Sequence, residues 1–591
     1  MDAAELSLVG DFPAADRDEW RALVAGVLTK AGRSFDPATP EAALSHADYD
    51  GITIAPLYTD RPALDLGAPG LAPFVRGAGT PAGLNSLGWD VRARYLDLDA
   101  AATNRSVLAD LNNGVSSLWL PAGLDPAAAL DGVYLDLVSV ILSDPSQAVD
   151  YLALVADLDP AEVRGSLGAD PIGHAARAGT APDLTALHQA VEQARPFENL
   201  LPITVDATIY HDAGGTDADE LAISLAVAVA YLREAGEELF DRIEFRYAVT
   251  ANQFASIAKL RAARRIWDRV GELCGRSDRR GQRQHAVTSA AMLTRRDPWV
   301  NMLRTTIACF SAAVGGAQAI TVAPFDSAVG LPDDFGRRIA RNTQSILHDE
   351  SSLARVADAA GGSFYVETLT DELAERAWQK FTELEAAGGV QAALADGSLA
   401  ARLDDSWQQR RARLAKRTDP ITGISEFANP AETTLTRPLL PELNRGGLPQ
   451  HRYAEDYESL RDRSDALLAD TGSRPKVFLA ALGPVPAHSG RVGFAANLFQ
   501  AGGVEPVVGS GSAEELVAAF QKSGARIACL CSSDKIYAEQ AEVVSTELTA
   551  AGATVWIAGP TTLARGDIVE SIQLGCDAVA RLESVYEGVA S

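Results

Sequence analysis

The chain has 591 residues and a formal charge of −27, from 52 basic and 79 acidic side chains. That length excludes a single small domain, 47% hydrophobic against 22% charged residues excludes global disorder, and the acidic balance argues against nucleic acid or an anionic membrane surface as a partner. Five cysteines, Cys274, Cys309, Cys529, Cys531 and Cys576, form no C-x-x-C pair, an odd count that suits a reducing, cytoplasmic setting better than a disulfide framework.

Residues 1–50 read as an N-terminal helical arm. Met1 to Glu5 lacks the basic and apolar regions of a secretory signal. Trp20, Leu23, Val24, Val27 and Leu28 then recur at helical spacing, opposite Arg17, Asp18, Arg21 and Lys30. This predicts one amphipathic helix, docking on its own domain or on another chain. Over 51–417, β-rich runs alternate with helical patterns. The predicted strands are Val115–Leu120, Gly132–Val138, Arg164–Ala169, Ile203–Tyr210, Arg242–Thr250, Ala286–Leu293, Ala319–Ala323 and Ser363–Glu367. Helices are predicted at Asp217–Glu234, Phe254–Glu272, Pro298–Val314 and Asp334–Leu347. Such alternation is what a parallel (β/α)8 TIM barrel requires. The uncharged stretch Thr305–Phe325 is broken by Gly315, Gly316, Gln318 and Pro324, and reads as a buried helix running into a strand rather than a membrane span.

Residues 418–474 scatter prolines among Asn, Gly and Thr and read as a belt or linker, interrupted by a helix at Tyr453–Leu468. Residues 475–591 form a second alternating unit. Strands are predicted at Lys476–Leu482, Val504–Val508, Arg526–Cys531, Thr554–Ala558 and Asp577–Arg581, and helices at Arg491–Ala501, Ala513–Lys522, Lys535–Ala551 and from Arg565. Five strands with intervening helices make a doubly wound, flavodoxin-like domain.

In such a domain the ligand crevice lies outside the carboxyl ends of the strands, which singles out the first loop, Gly483 to Arg491, and in it His488, one of eight histidines. Gly509-Ser510-Gly511-Ser512 follows a strand as a phosphate loop would, but completes no such motif, and Ser512 with Glu515 makes a capping box. Cys529 and Cys531 lie on one face of an apolar strand and read as core rather than metal ligands. No G-x-S-x-G elbow, H-E-x-x-H or Cys/His cluster is present.

Several strings carry a family likeness across most of the chain. They are Gly88-Trp89-Asp90-Val91-Arg92 before the barrel, Ile257-Ala258-Lys259-Leu260-Arg261-Ala262 in a barrel helix, and Asp297-Pro298-Trp299-Val300-Asn301. Others are Arg338-Ile339-Ala340-Arg341-Asn342-Thr343-Gln344, Gly361-Gly362-Ser363-Phe364-Tyr365-Val366-Glu367, and Arg452-Tyr453-Ala454-Glu455 in the belt. With a barrel followed by a flavodoxin-like domain, they resemble the coenzyme B12-dependent acyl-CoA mutases of the methylmalonyl-CoA mutase family.

The resemblance implies a cobalamin-binding-type C-terminal domain with a D-x-H-x-x-G loop. There the histidine ligates cobalt, the aspartate hydrogen-bonds its other nitrogen, and the glycine leaves room for the displaced nucleotide tail. Aligned on His488, this chain has Pro486 in place of the aspartate and Arg491 in place of the glycine. The Ser-rich loop after the third strand is Cys531-Ser532-Ser533-Asp534-Lys535, and the Gly-Gly turn after the fourth is Ala558-Gly559-Pro560. In the barrel, Tyr210-His211 matches the position of the family's active-site histidine. Asp212-Ala213-Gly214-Gly215 is about two residues short of the pattern, and Arg76 to Pro81 carries no aromatic ring to shield a radical.

The residues therefore predict a degenerate cofactor loop at Pro486, His488 and Arg491, no cofactor held here, and His211 as a vestigial rather than catalytic histidine. The chain resembles the small subunit of a heterodimer whose large catalytic subunit carries adenosylcobalamin, binds most of the acyl-CoA substrate, and interconverts (R)-methylmalonyl-CoA and succinyl-CoA. The alternative is an autonomous mutase with an atypical loop, in which His488 is a cobalt ligand and His211 serves the active site. A free-standing acyl-CoA-binding protein is a third.

Overall fold

The computed structural model describes residues 16–60, 66–78, 88–276, 281–441 and 446–590. The helix Arg17–Lys30 opens them, with Asp16 accepting the Glu19 N–H as its cap. It buries Val24 and Leu28 and leaves Leu23 and Val27 exposed. A two-stranded antiparallel ladder, β1 (His46–Ala47) and β2 (Thr53–Ile54), comes next.

Eight parallel strands close a barrel: β3 (Asp90–Arg94), β4 (Ser117–Leu120), β5 (Ser139–Leu142), β6 (Gly165–Ala169), β7 (Leu200–Asp206), β8 (Ile243–Val249), β9 (Arg283–Thr288) and β10 (Ala319–Thr321). They neighbour one another in chain order, and β10 pairs with β3. Outward residues such as Leu118, Val140, Val205 and Phe245 are apolar and pack on the surrounding helices. The inward set is largely polar or charged, with Arg92, Arg94, Asp206, Glu244, Arg246 and His285 on β3, β7, β8 and β9.

That polar interior accounts for several corrections. Asp90–Arg94, taken from sequence to precede the barrel, is its first strand, with a charge at every second position because those positions face inward. Gly132–Val138 is not a strand: Gly132 turns the chain at φ +75° and the strand begins at Ser139. Ser363–Glu367 is a helix start. Ser363 caps Phe364–Ala386 by accepting the Val366 N–H, and the Glu367 carboxylate folds back to the Gly362 N–H. The run Ile203–Tyr210 leaves the sheet at Asp206, so Tyr210 and His211 lie on a short helix, Thr208–Asp212.

The belt crosses the carboxyl side of the barrel. His451 and Tyr453 donate their backbone N–H groups to the carbonyls of Asp212 and Ala291, and the His451 ring stacks on Trp407 at 4.2 Å. The helix Glu455–Thr471 then leads to a five-stranded parallel sheet: β11 (Lys476–Ala481), β12 (Glu505–Ser510), β13 (Ile527–Cys531), β14 (Thr554–Ala558) and β15 (Ile568–Ile572). Its order, β12-β11-β13-β14-β15, places the switch point of a doubly wound sheet between the ends of β11 and β13. The last strand is β15, not Asp577–Arg581. Asp577 precedes the helix Ala578–Ala590 and the rest of that run forms its first turn; its Val579, Leu582, Val585 and Tyr586 follow helical spacing into the core. Cys529 and Cys531 are buried in β13, and the Ser512–Glu515 capping box starts the helix Ala513–Ser523. Among the described residues no helix is long and apolar enough to cross a membrane.

Candidate functional site

Two places at carboxyl ends of strands were singled out by sequence, and they form separate clusters. The first is the crevice of the five-stranded sheet. Gly483 to Arg491 is not an extended loop, because the helix begins at Val485 and runs to Ala501. Pro486 is tolerated there because a proline in the first turn removes an N–H that has no intrahelical partner. Pro486, His488 and Arg491 therefore ride on the first two turns of one helix, with His488 and Arg491 one turn apart on the same face.

The Arg491 guanidinium reaches over the strand ends. It donates to the Ser532 carbonyl at 2.5 Å and pairs with the Asp534 carboxylate at 2.5 Å. Its central carbon lies 5.0 Å from the Tyr537 ring centroid. A Cβ added at Gly559, where φ is +151°, would stand 3.3 Å from the Arg491 Cζ, so the guanidinium sits directly over the turn after β14. Beneath it the Tyr537 hydroxyl lies between the carbonyls of Leu530 and Ala558, at 2.8 and 2.9 Å, and accepts the Ser532 N–H at 2.8 Å. The Ser532 hydroxyl donates to the Leu482 carbonyl at 2.8 Å. The ends of β11, β13 and β14 are thus tied together by side chains of this chain. Burial pushes the Tyr537 phenol above its ordinary range, so it stays a neutral donor.

His488 is half-buried, and its Nδ1 is buried without a hydrogen-bond partner. An imidazole serving as a metal ligand through one nitrogen needs an acceptor at the other to fix its tautomer and raise its basicity. Pro486, the residue aligned for that task, has no side-chain acceptor. Arg491 adds a bulky cation where a corrin's tail needs open space. On both counts the residues present do not fit a cobalamin.

The second cluster is at the barrel mouth. His211 Nε2 is 2.7 Å from the Ser289 hydroxyl, and its Nδ1, 3.6 Å from Glu220 Oε2, has no hydrogen-bond partner. Lys259 Nζ stands 2.7 Å from Glu220 and 2.8 Å from Asp217. Burial, then the Lys259 and Arg410 charges, lower the His211 pKa to about 3, so the ring is neutral. Burial pushes Glu220 up to about 7 against the pull of Lys259. Burial alone would lower Lys259, but Asp217 and Glu220 outweigh it and hold the ammonium charged. Of the stretch Arg76 to Pro81, Arg76 pairs with Asp358 at 2.8 Å, and Gly79, Thr80 and Pro81 lie outside the described residues.

Farther inside, the barrel is packed with its own side chains. Arg92 spans it to both oxygens of Glu244 at 2.9 Å. The Trp119 indole fills the centre, packed with Ile141 and Val287. Arg94 and Arg246 place their guanidinium carbons 4.3 and 3.8 Å from its ring centroid. Sequence reading passed over Trp119, Arg246 and Tyr537. The signal for Arg246 was present as charge at every second position, in Glu244-Phe245-Arg246 as in Asp90-Val91-Arg92-Ala93-Arg94, whereas Trp119 sits in the uncharged run Ser117-Leu118-Trp119-Leu120. For Tyr537, one polar ring on an ordinary helix gave none.

The sequence matches the methylmalonyl-CoA mutase family model over residues 123–466. It is 53% identical to the methylmalonyl-CoA mutase small subunit of Streptomyces virginiae, over 99% of each chain. It is 41% identical to the small subunit of Propionibacterium freudenreichii subsp. shermanii, over 99% of this chain and 97% of that protein. It is 31% identical to the methylmalonyl-CoA mutase of Cereibacter sphaeroides, over 70% of this chain and 64% of that one. With barrel, belt and doubly wound sheet in sequence and relatives matched end to end, the chain belongs to the methylmalonyl-CoA mutase family.

Proposed function

We propose that this chain is the small subunit of a heterodimeric methylmalonyl-CoA mutase, that it neither holds adenosylcobalamin nor performs the isomerisation, and that it acts by stabilising a large catalytic subunit. The complex interconverts (R)-methylmalonyl-CoA and succinyl-CoA with the cofactor on the large subunit, and works in the cytoplasm. The small-subunit names of the end-to-end relatives support the pairing.

One observation carries the non-catalytic reading: Arg491 occupies the crevice, bonded to Ser532 and Asp534, while His488 lacks an Nδ1 acceptor. The barrel points the same way. Burial lowers the His211 pKa to about 3, so the ring is neutral, and its Nε2 is bonded to Ser289, which disfavours a role as a proton carrier. Trp119, Arg92 and Glu244 are buried inside the barrel, with Arg92 bonded to both Glu244 oxygens. Barrel and sheet cores rest on apolar packing away from these faces, so a partner that binds the folded chain gains stability by mass action whatever the faces have lost.

The test is co-expression with the large subunit and a His488→Ala variant. The two chains should co-elute on size exclusion, and the variant complex should keep the cobalamin content and activity of the wild type. Loss of bound cobalamin in the variant would sink the reading in favour of an autonomous mutase with His488 on cobalt.

A further inference from the structure

The five-stranded sheet has a second concave end. Beneath the amino ends of β11, β13 and β14, opposite the crevice of Arg491, lies a cleft of about 780 Å3, the size of a small-molecule site. Leu467, Ile527, Trp556 and Val585 give it an apolar floor. Three cations, Arg474, Lys476 and Arg526, line it against one acid, Glu570, in a chain whose net charge is −27. The hydroxyls of Ser473, Thr554 and Ser584 line it as well. Val477 pairs in register with Ile527, so Lys476 and Arg526 stand side by side one step earlier, at the starts of neighbouring strands.

Part of this lining is already matched. Arg474 pairs with Asp465 at 2.7 Å and donates to the Ser464 hydroxyl at 2.8 Å, and Glu570 is taken up by Arg581 at 2.5 Å. The helices Glu455–Thr471, Ala513–Ser523 and Asp534–Ala550 end on this side of the sheet, and their carbonyl ends, with about half a negative charge each, balance part of the cationic rim. Two groups are left over. The half-buried Lys476 ammonium has no ion pair or side-chain hydrogen bond among the described residues. Trp556 is 3% exposed, yet its indole N–H has no acceptor among the described residues and is not sealed from solvent; since Trp556 lines the cleft, that donor opens into it.

A bare anion would serve the ammonium and leave the indole N–H without an acceptor. A purely apolar molecule would cover the floor and strand the ammonium. A nucleoside phosphate answers both, since its phosphate matches the cations, its sugar the hydroxyls, and its flat base brings ring acceptors onto an apolar floor. We infer that this cleft binds a nucleoside monophosphate, its phosphate between Lys476 and Arg526 and its base against Trp556, bound without being transformed. The cleft and the His488 crevice lie at opposite ends of the sheet, so the inference stands apart from the cofactor reading, and its test uses neither cobalamin nor a partner.

The probes are AMP, UMP, adenosine and inorganic phosphate, added to the full chain at ionic strength held constant with chloride, because bulk salt screens exposed charges. Binding is read by calorimetry and by the rise in Tm that a ligand specific for the folded state produces. A nucleotide should bind the wild type at least tenfold more tightly than adenosine or phosphate. Lys476→Met should weaken it tenfold or more while leaving the unliganded Tm in place, since Lys476 leaves no partner charge behind. Trp556→Phe, which removes the donor and keeps a ring on the floor, should weaken it by a smaller factor, with circular dichroism reporting the sheet intact. Arg491→Ala, at the far end, should bind like the wild type. No heat and no Tm rise with either nucleotide would overturn the proposal. So would equal affinity in wild type and Lys476→Met, adenosine or phosphate binding as tightly as the nucleotides, or loss of binding in Arg491→Ala.

Discussion

Replacing Lys259 by Met tests whether the polar cluster at the barrel mouth is held by charge pairing. Met fills nearly the same space but strands two carboxylates. Asp217 keeps 30% of its side chain exposed and can be hydrated, whereas Glu220 is fully buried and keeps only the Ala248 N–H, at 2.7 Å. Each ammonium–carboxylate contact is worth about 6 kcal/mol at an effective dielectric near 20, before the desolvation of both groups is subtracted. Removing one member of a buried pair leaves a net loss of about 3–5 kcal/mol. Glu220 dominates that loss, so Lys259→Met combined with Glu220→Gln should recover roughly half of it, because the amide still accepts from Ala248. The pH dependence comes from the same group. Glu220, already at about 7, moves further above its unfolded value once Lys259 is gone. The folded variant then binds a proton that the unfolded chain does not, so its deficit shrinks as pH falls from 8 to 5. Guanidinium unfolding of the barrel, followed by circular dichroism at both pH values, measures this. A deficit under about 1 kcal/mol, or one of equal size at pH 5 and pH 8, would refute the reasoning.

Four further outcomes are expected. His211, held at about 3, should by itself cost about 2 kcal/mol between pH 6.5 and 5, because the unfolded imidazole takes up a proton that the buried one refuses, and Glu220 at about 7 should offset most of that loss in the wild type. His211→Gln should remove the loss and leave stability rising as pH falls over that range in pH-resolved thermal unfolding. Trp119→Ala should cost about 3–5 kcal/mol in the same assay, since neighbours braced against the barrel wall cannot close the cavity. Arg491→Ala should cost only about 1 kcal/mol, because Asp534 is largely exposed. Pro486→Asp with Arg491→Gly should raise cobalamin retention on gel filtration above the wild type; equal retention would mean that these two residues are not what keeps corrin out.

The sequence revealed this fold where strands are apolar and helices are periodic. The helices Asp217–Ala235 and Gln253–Leu273 and the strands β11, β13 and β14 lie within two residues of their expected bounds. It misled where the interior is charged, as in β3, since an Arg at every second position reads as a solvent face. At Val485, two prolines read as a loop, although Pro484 precedes the helix and Pro486 sits in its first turn, where proline is accepted. The strings that carried the family likeness turn out to brace the barrel. Trp89 Nε1 donates to Gln344 Oε1 at 3.1 Å, Asn301 ties Thr294 to Phe325, and Lys259 bridges Asp217 and Glu220. The lesion at Pro486 and Arg491 was visible as residue types. That the guanidinium spans to Ser532 and Asp534 over Gly559 was not, because it depends on a helix and the turns after two strands converging in space.

The most direct test of the central claim is the absorption spectrum of adenosylcobalamin mixed with the purified full chain. With Arg491 over the strand ends and His488 unsupported, the spectrum should remain that of the free cofactor. A base-off, histidine-on spectrum that disappears in His488→Ala would contradict the claim.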